Sequence, residues 1–321
     1  MMKTTKAAFC IVAALCTNMG WAQQYPSRAI RWVEPSAPGA TSDIVARLIS
    51  DKLGAALGTT LVMDNRPGAA GNIAAEIVAK SAPDGYTLLT GIFPHAVNPS
   101  LYPKLSYDLL TDLAPIVLIS SAPLVVVVHP SLPVKTVKEL VALAKRRPGE
   151  LSFPSGGNGS SSHLAGELLK NMAGIDLLHV PYKSIPQSVL ELTSGRTSLM
   201  INPYPTMKPF ITSGKLRSIA VTSLRRSHLM PELPTVDEAG LPGYTVTAWH
   251  GMLTRGGTPA EIIARLNGEI TKLLRVPEMR ARLDELGFNI VESTPEQFAQ
   301  HLRGEVDKWA KVVKASGIRA D

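Results

Sequence analysis

The sequence predicts an α/β protein of two lobes, the second inserted into the first and joined to it by two strands. Three features predict it. Short apolar runs alternate with helix patterns through almost the whole chain, and runs apolar on both faces suit sheets covered from both sides. Two long apolar segments, 124–128 (between Pro123 and Pro130) and 244–253, bracket a set of βα units of domain size. Two junctions rich in Gly, Ser and Thr, at 36–43 and 155–162, each lead from a strand into a helix, one on either side of that division. The 321 residues suffice for two ordinary domains, and 45% hydrophobic against 18% charged residues suits a chain with a sizeable core.

Strands are expected at 29–33, 60–63, 86–92, 116–120, 124–129, 151–153, 177–180, 198–201, 217–222 and 245–253. The first helix is expected at 42–57, with Ile44, Val45, Leu48, Ile49 and Leu53 on one face and Gly58 closing it. Thr136-Val137-Lys138-Glu139 reads as a capping box, in which the Thr hydroxyl and the Glu carboxylate satisfy orphan amides in both directions. Thr258-Pro259-Ala260-Glu261 and Thr294-Pro295-Glu296-Gln297 repeat it with Pro at the first helical position. The domain boundaries follow: lobe 1 from 23–123 plus 250–321, and an inserted lobe 2 from 124–249.

Residues 1–22 read as a secretory signal peptide. Lys3 and Lys6 make a basic start, residues 7–16 are apolar, and Gly20 and Ala22 place small residues before Gln23. The apolar run is far shorter than the ~20 residues that span a bilayer. Both cysteines, Cys10 and Cys16, fall in this segment, so the chain after cleavage has no thiol for disulfides, catalysis or metal binding. A soluble, periplasmic protein is expected, and a monomer.

The formal net charge of +7 includes Lys3 and Lys6 of the leader. The remaining basic residues are dispersed, and the densest cluster, Lys145-Arg146-Arg147, stands at an expected helix end, where cations complement the dipole. No basic stripe or nucleic-acid motif occurs, so nucleic acid is not an expected partner.

The two junctions carry the candidate chemistry. After the strand at 29–33, Pro38-Gly39-Ala40 presents nearly bare backbone, and Thr41, Ser42 and Asp43 supply short oxygens as the helix begins. The first amides of a helix lack intrahelical partners, and with the dipole they form a ready anion site. Ser155-Gly156-Gly157-Asn158-Gly159-Ser160-Ser161-Ser162-His163 repeats the arrangement before a helix through Leu164, Leu168 and Met172. One such loop in each lobe suits a small carboxylate gripped from two sides. Neither GxxxxGK[ST] nor GxGxxG is present, so no nucleotide cofactor is expected. Ser160 or Ser161 beside His163 raises an exported serine hydrolase as the alternative function, although GxSxG is absent. His163 and Glu167 stand four apart but lack HExxH or a third ligand, so surface pairing is expected and no metal. Phe93 and His95 lie beyond the third strand, where α/β sheets bind ligands. Lys183 is a further candidate to meet a carboxylate, while 65–71 reads as a tight turn.

Five stretches in order resemble one family. They are Tyr25-Pro26-Ser27-Arg28 with Ala37-Pro38-Gly39 and Asp43; Asn65-Arg66-Pro67-Gly68-Ala69-Ala70-Gly71; Pro83-Asp84-Gly85-Tyr86-Thr87-Leu88-Leu89; His179-Val180-Pro181-Tyr182-Lys183; and Pro234-Thr235 with Glu238 and Gly240. The chain resembles the Bug family, the periplasmic substrate-binding proteins of tripartite tricarboxylate transporters, over nearly its whole length after residue 25. The resemblance implies a non-catalytic, two-lobed Venus-flytrap binding protein of type II, which captures a small organic acid and hands it to a membrane permease. It implies that the carboxylate is held by the loop at 39–43 (Gly39, Ala40, Thr41, Asp43) and by the loop at 155–162 (Ser155, Gly157, Gly159, Ser160, Ser161). Departures from the family pattern are Glu34 for an apolar residue, Ser36 for an aromatic, Ala40 for a second Gly, and Ser184 for a Gly. Ser36 implies a larger or wetter pocket. Asn202 stands where relatives are often acidic, which disfavours an amino-acid ligand, since an ammonium wants a negative partner.

Overall fold

A computed structural model describes residues 25–319; the expected signal peptide, with both cysteines, lies outside the described residues. In chain order the elements are β1 (Ile30–Glu34), α1 (Thr41–Leu57), β2 (Leu61–Asn65), α2 (Asn72–Ala79), β3 (Thr87–Ile92), α3 (Phe93–Leu101), β4 (Leu113–Val128), α4 (Val137–Arg146), β5 (Ser152–Ser155) and α5 (Ser161–Ala173). There follow β6 (Leu178–Pro181), α6 (Ile185–Thr193), β7 (Leu199–Pro203), α7 (Tyr204–Thr212), β8 (Arg217–Val221), β9 (Thr247–Arg255), α8 (Ala260–Leu274), α9 (Pro277–Glu285), β10 (Asn289–Ile290) and α10 (Pro295–Ser316).

β4 organises the molecule. Its first part, Leu113 to Pro123, pairs antiparallel with β9, and β9 continues to β3, which leads on through β1 to β2. Its last part, Leu124 to Val128, pairs instead with β7 on one side and β8 on the other. The two strands expected at 116–120 and 124–129 are therefore one. Pro123 read as a break, yet its fixed φ suits a strand, and its missing N–H falls where the partner strands change. β5 and β6 form a parallel pair, tied to the region before β7 by the Ser198 amide on the Ser152 carbonyl at 2.9 Å.

Apolar clusters cover both faces of both sheet halves. Ile30, Trp32, Val45, Ile49 and Leu53 pack with Leu266 and Ile270 on one face of the larger half. Val125, Val127, Met200, Met207 and Val221 form a cluster in the smaller half. A third, continuous cluster runs from Val33 and Leu89 through Phe93 and Trp309 to Val126, Phe153 and Leu164. α10 makes that continuity: Trp309 meets Phe93 edge-on at 5.0 Å, and Ser316 accepts from Asn171 of α5 at 3.0 Å.

The capping boxes at Thr136 and Thr294 form. The one at Thr258 does not: Pro259 is the N-cap of α8, and the Thr258 hydroxyl turns back to donate to the Arg255 carbonyl at 2.7 Å. On α1 the buried face is Val45, Ala46, Ile49 and Leu53, whereas Ile44 is exposed. β10 carried too short an apolar run to be expected. His163 and Glu167 are both buried, not a surface pair, and Glu167 accepts from Lys170.

Candidate functional site

A cavity of about 240 Å³ opens between the two sheet halves. Each half sends a helix N-terminus to it. α1 begins at Ala40, an extended N-cap whose side chain offers no oxygen. Its amides at Thr41 and Ser42 have no partner among the described residues, and both residues line the cavity. α5 begins at Ser160, whose hydroxyl accepts the His163 amide at 3.3 Å. The Ser161 and Ser162 amides have no partner among the described residues, and Ser160 and Ser161 line the cavity. No Lys, Arg, Asp or Glu is in the lining, so a negative charge placed there meets main-chain dipoles and hydroxyls.

Of the fourteen residues singled out from the sequence, the structure brings six to this cavity: Ser36, Thr41, Phe93, Ser160, Ser161 and Asn202. The other eight do not line it, and for most the cause is local. The Gly39 amide donates to Asp43 Oδ2 at 2.9 Å, and the Ala40 amide to the Ala37 carbonyl at 3.1 Å. Asp43 is buried and also accepts from Arg47 Nε at 2.8 Å and Asn65 Nδ2 at 2.9 Å. Burial pulls its carboxyl upward, but these bonds outweigh that and hold it below the usual range. Asp43 therefore positions the loop, helped by Asn65, whose Nδ2 also donates to the Ser36 carbonyl.

The second loop is tied in the same manner. The Gly157 amide donates to Ser155 Oγ at 3.2 Å, and the Gly159 amide to His163 Nδ1 at 3.2 Å. Ser155 Oγ lies 2.7 Å from His179 Nε2. His95 is wholly buried: its Nδ1 accepts the Ile92 amide at 3.2 Å, and its Nε2 donates to the Gly71 carbonyl at 3.1 Å. Burial lowers its pKa to about 4, so it is a neutral cap of α3. Lys183 is exposed and does not line the cavity.

A hydrolase would need a base on Ser160 or Ser161. The Ser160 hydroxyl donates to the Gly157 carbonyl at 2.8 Å, and His163 Nδ1 is occupied by the Gly159 amide. No histidine nitrogen is within bonding distance of either serine hydroxyl among the described residues, so that reading has no geometry behind it.

Two features of the cavity were missed or underread in the sequence. Asn202, next to the last residue of β7, is fully buried, and neither its Oδ1 nor its Nδ2 has a partner. Trp249 of β9 is 1% exposed with its Nε1 unpartnered, and it lines the same cavity. Orphaned buried polar groups are costly and point to a ligand or water that satisfies them. Trp249 gave no local signal, because an indole inside an apolar strand reads as core. A larger depression of about 570 Å³ lies by Arg226, His228, Arg280 and Asp284. Two of its arginines are already engaged, Arg226 with Glu238 and Arg280 with Glu292, and His228 pairs with Asp284.

A family model described as "Tripartite tricarboxylate transporter family receptor" matches residues 45–318. Among solved structures, Rpa4515 of R. palustris with adipate aligns at TM-score 0.81 and 38% identity, over 92% of this chain and 99% of that one. The periplasmic binding protein BugD aligns at 0.78 and 33% identity, over 92% and 100%. MatC (Rpa3494) from Rhodopseudomonas palustris with bound malate aligns at 0.77 and 31% identity, over 90% and 100%.

Proposed function

The chain belongs to the tripartite tricarboxylate transporter receptor family, and from that premise we propose that it captures a small organic acid in the periplasm and delivers it to the membrane permease of such a transporter. In this reading the protein is a monomer without catalytic activity, exported by a leader cleaved after Ala22. The lobes are 23–123 plus 250–321 and 124–249, with β4 and β9 as the hinge strands. The observation that carries the reading is the convergence of the unpartnered Thr41, Ser42 and Ser161 amides on one cavity that holds no ionised side chain. The acids bound by the two relatives, adipate and malate, are of a size and charge such a cavity suits.

Each charge-assisted amide contact contributes about 1.5–3 kcal/mol. Three of them total about 4.5–9 kcal/mol before the cost of association and of ordering the lobes, so hydroxyl and apolar contacts in the cavity supply the rest of a micromolar affinity. The ligand bridges both helix ends, so binding favours the closed arrangement over any open one.

The test is a thermal-shift panel of mono-, di- and tricarboxylates, aromatic acids and amino acids. A saturable rise in melting temperature with one or a few carboxylates is expected, corresponding to about 2.7 kcal/mol at a hundredfold excess over Kd. A panel with no response, or a response to aspartate or glutamate alone, overturns the proposal.

A further inference from the structure

Glu34 ends β1 just behind the first loop and is fully buried. It has no cationic partner within ion-pair distance among the described residues. Its Oε1 lies 2.6 Å from Ser42 Oγ and accepts the Ser36 amide at 3.2 Å, while its Oε2 has no hydrogen-bond partner. Ser36 and Ser42 both line the cavity. The carboxyl is thus a single hydroxyl away from the space where the proposed ligand's charge rests.

We propose that Glu34 makes acid capture proton-linked: the liganded receptor holds Glu34 as the neutral carboxylic acid, and binding takes up a proton whenever the free receptor has Glu34 ionised. This rests on the function proposed above and adds a positioning residue with a regulatory consequence.

The physical reason is charge against charge in a dry place. A buried, unpaired carboxylate is costly, and a ligand carboxylate at the α1 N-terminus would set a second negative charge beside it. Burial raises the Glu34 pKa, the Ser42 hydroxyl, the nearby Thr90 hydroxyl and the Ser36 amide offset only part of that, and Asp43 adds to it. The other titratable groups facing it are committed. From α1, Asp43 is paired with Arg47, whose guanidinium is turned to Asp43 and Asn65. On β2, Asp64 pairs with Arg31 and Arg66. From α3 and β9, His95 and His250 have pKa values lowered to about 4 by burial and are neutral near pH 7.

The sign follows from the liganded pKa lying above the free one. Affinity is highest below the free-state pKa of Glu34 and falls as pH rises through the window between the two values. The fall is at most about tenfold per pH unit, with a plateau above both.

The test is isothermal titration of adipate into the protein from about pH 5 to about pH 8, in two buffers of different ionisation enthalpy, beside the Glu34→Gln variant. The amide keeps the shape and an acceptor for Ser42 but cannot titrate, and adipate's own ionisation is common to both proteins. The native protein should lose affinity as pH rises and show net proton uptake, whereas Glu34→Gln should bind with neither feature. An equal slope in both proteins, or a flat native profile with no proton uptake, overturns the proposal. Should the variant fold poorly, ligand-induced infrared difference spectra of the native protein decide: a gained protonated-carboxyl band supports the proposal and its absence overturns it. If no acid binds either protein at any pH, the receptor reading itself fails, and this inference with it.

Discussion

The imidazole rings of His163 and His179 stack with centroids 3.7 Å apart and planes within 5° of parallel, and Phe153 lies 5.0 Å from the His179 ring. Through Gly159 and Ser155 these rings hold the second loop in place. Burial, with His179 and Lys170 nearby, lowers the His163 pKa to about 3; burial and Lys170 lower that of His179 to about 4. The unfolded chain titrates near 6.5, so below that value it binds protons the folded protein refuses, and stability declines as pH falls from about 6.5 towards about 4. His95 and His250 act in the same direction. Melting temperatures should drop steadily across that window, and His179→Phe should lessen the drop. A melting temperature constant from neutral pH to about pH 4 refutes this account.

Asn202 shares the cavity with Trp249, and neither has its polar atoms satisfied by the protein. Asn202→Leu removes two orphaned groups while keeping the number and branching of side-chain heavy atoms. The unliganded protein should gain about 1 kcal/mol or more of stability in urea denaturation. Acid binding should weaken at least tenfold, because the ligand loses a buried partner. A variant that is less stable yet binds normally would place Asn202 in a purely structural role.

Neighbouring serines on α5 divide the labour. Ser160 caps the helix, so Ser160→Ala should cost about 1 kcal/mol of stability. Ser161 only faces the cavity, so Ser161→Ala should leave stability within about 0.5 kcal/mol. Binding should weaken by roughly 1 kcal/mol, as it should for Thr41→Ala on α1. Unfolding curves and ligand titrations on the three variants check this, and unchanged affinity in both Ser161→Ala and Thr41→Ala removes the hydroxyls from the grip.

Gly159 sits between the halves. Its φ is +75°, and a Cβ there would lie 2.5 Å from Leu101 Cδ1 of α3, in the other half. Gly159→Ala carries about 1–2 kcal/mol of left-handed backbone strain and crowds the Leu101 side chain of the other half. Affinity should fall several-fold, and Leu101→Ala in the same chain should restore part of it by making room. No recovery in the double variant would mean that the backbone strain acts alone.

How much of this was legible depended on the distance over which the information lies. The α/β alternation, the start of α1, its closure at Gly58, and the boxes at Thr136 and Thr294 are written within a few residues and formed as read. So was the presence of two Gly/Ser/Thr junctions at helix starts. The glycines of those junctions misled: a bare backbone looks available, yet the amides of Gly39, Gly157 and Gly159 are taken by Asp43, Ser155 and His163 side chains. The amides left over belong to Thr41, Ser42, Ser161 and Ser162, one step into each helix.

By itself, then, the sequence determined which segments become strands and helices and where main-chain donors would gather, because propensity, capping and turn chemistry act over three or four neighbours. Only the tertiary structure decided which donors meet. β4 sets Asn202 opposite Val125 and Trp249 opposite Ser121, and so brings β7, β9 and two distant helix ends around one cavity. Strand partners and register are set by side-chain packing across the whole sheet, and no local stretch of sequence carries that.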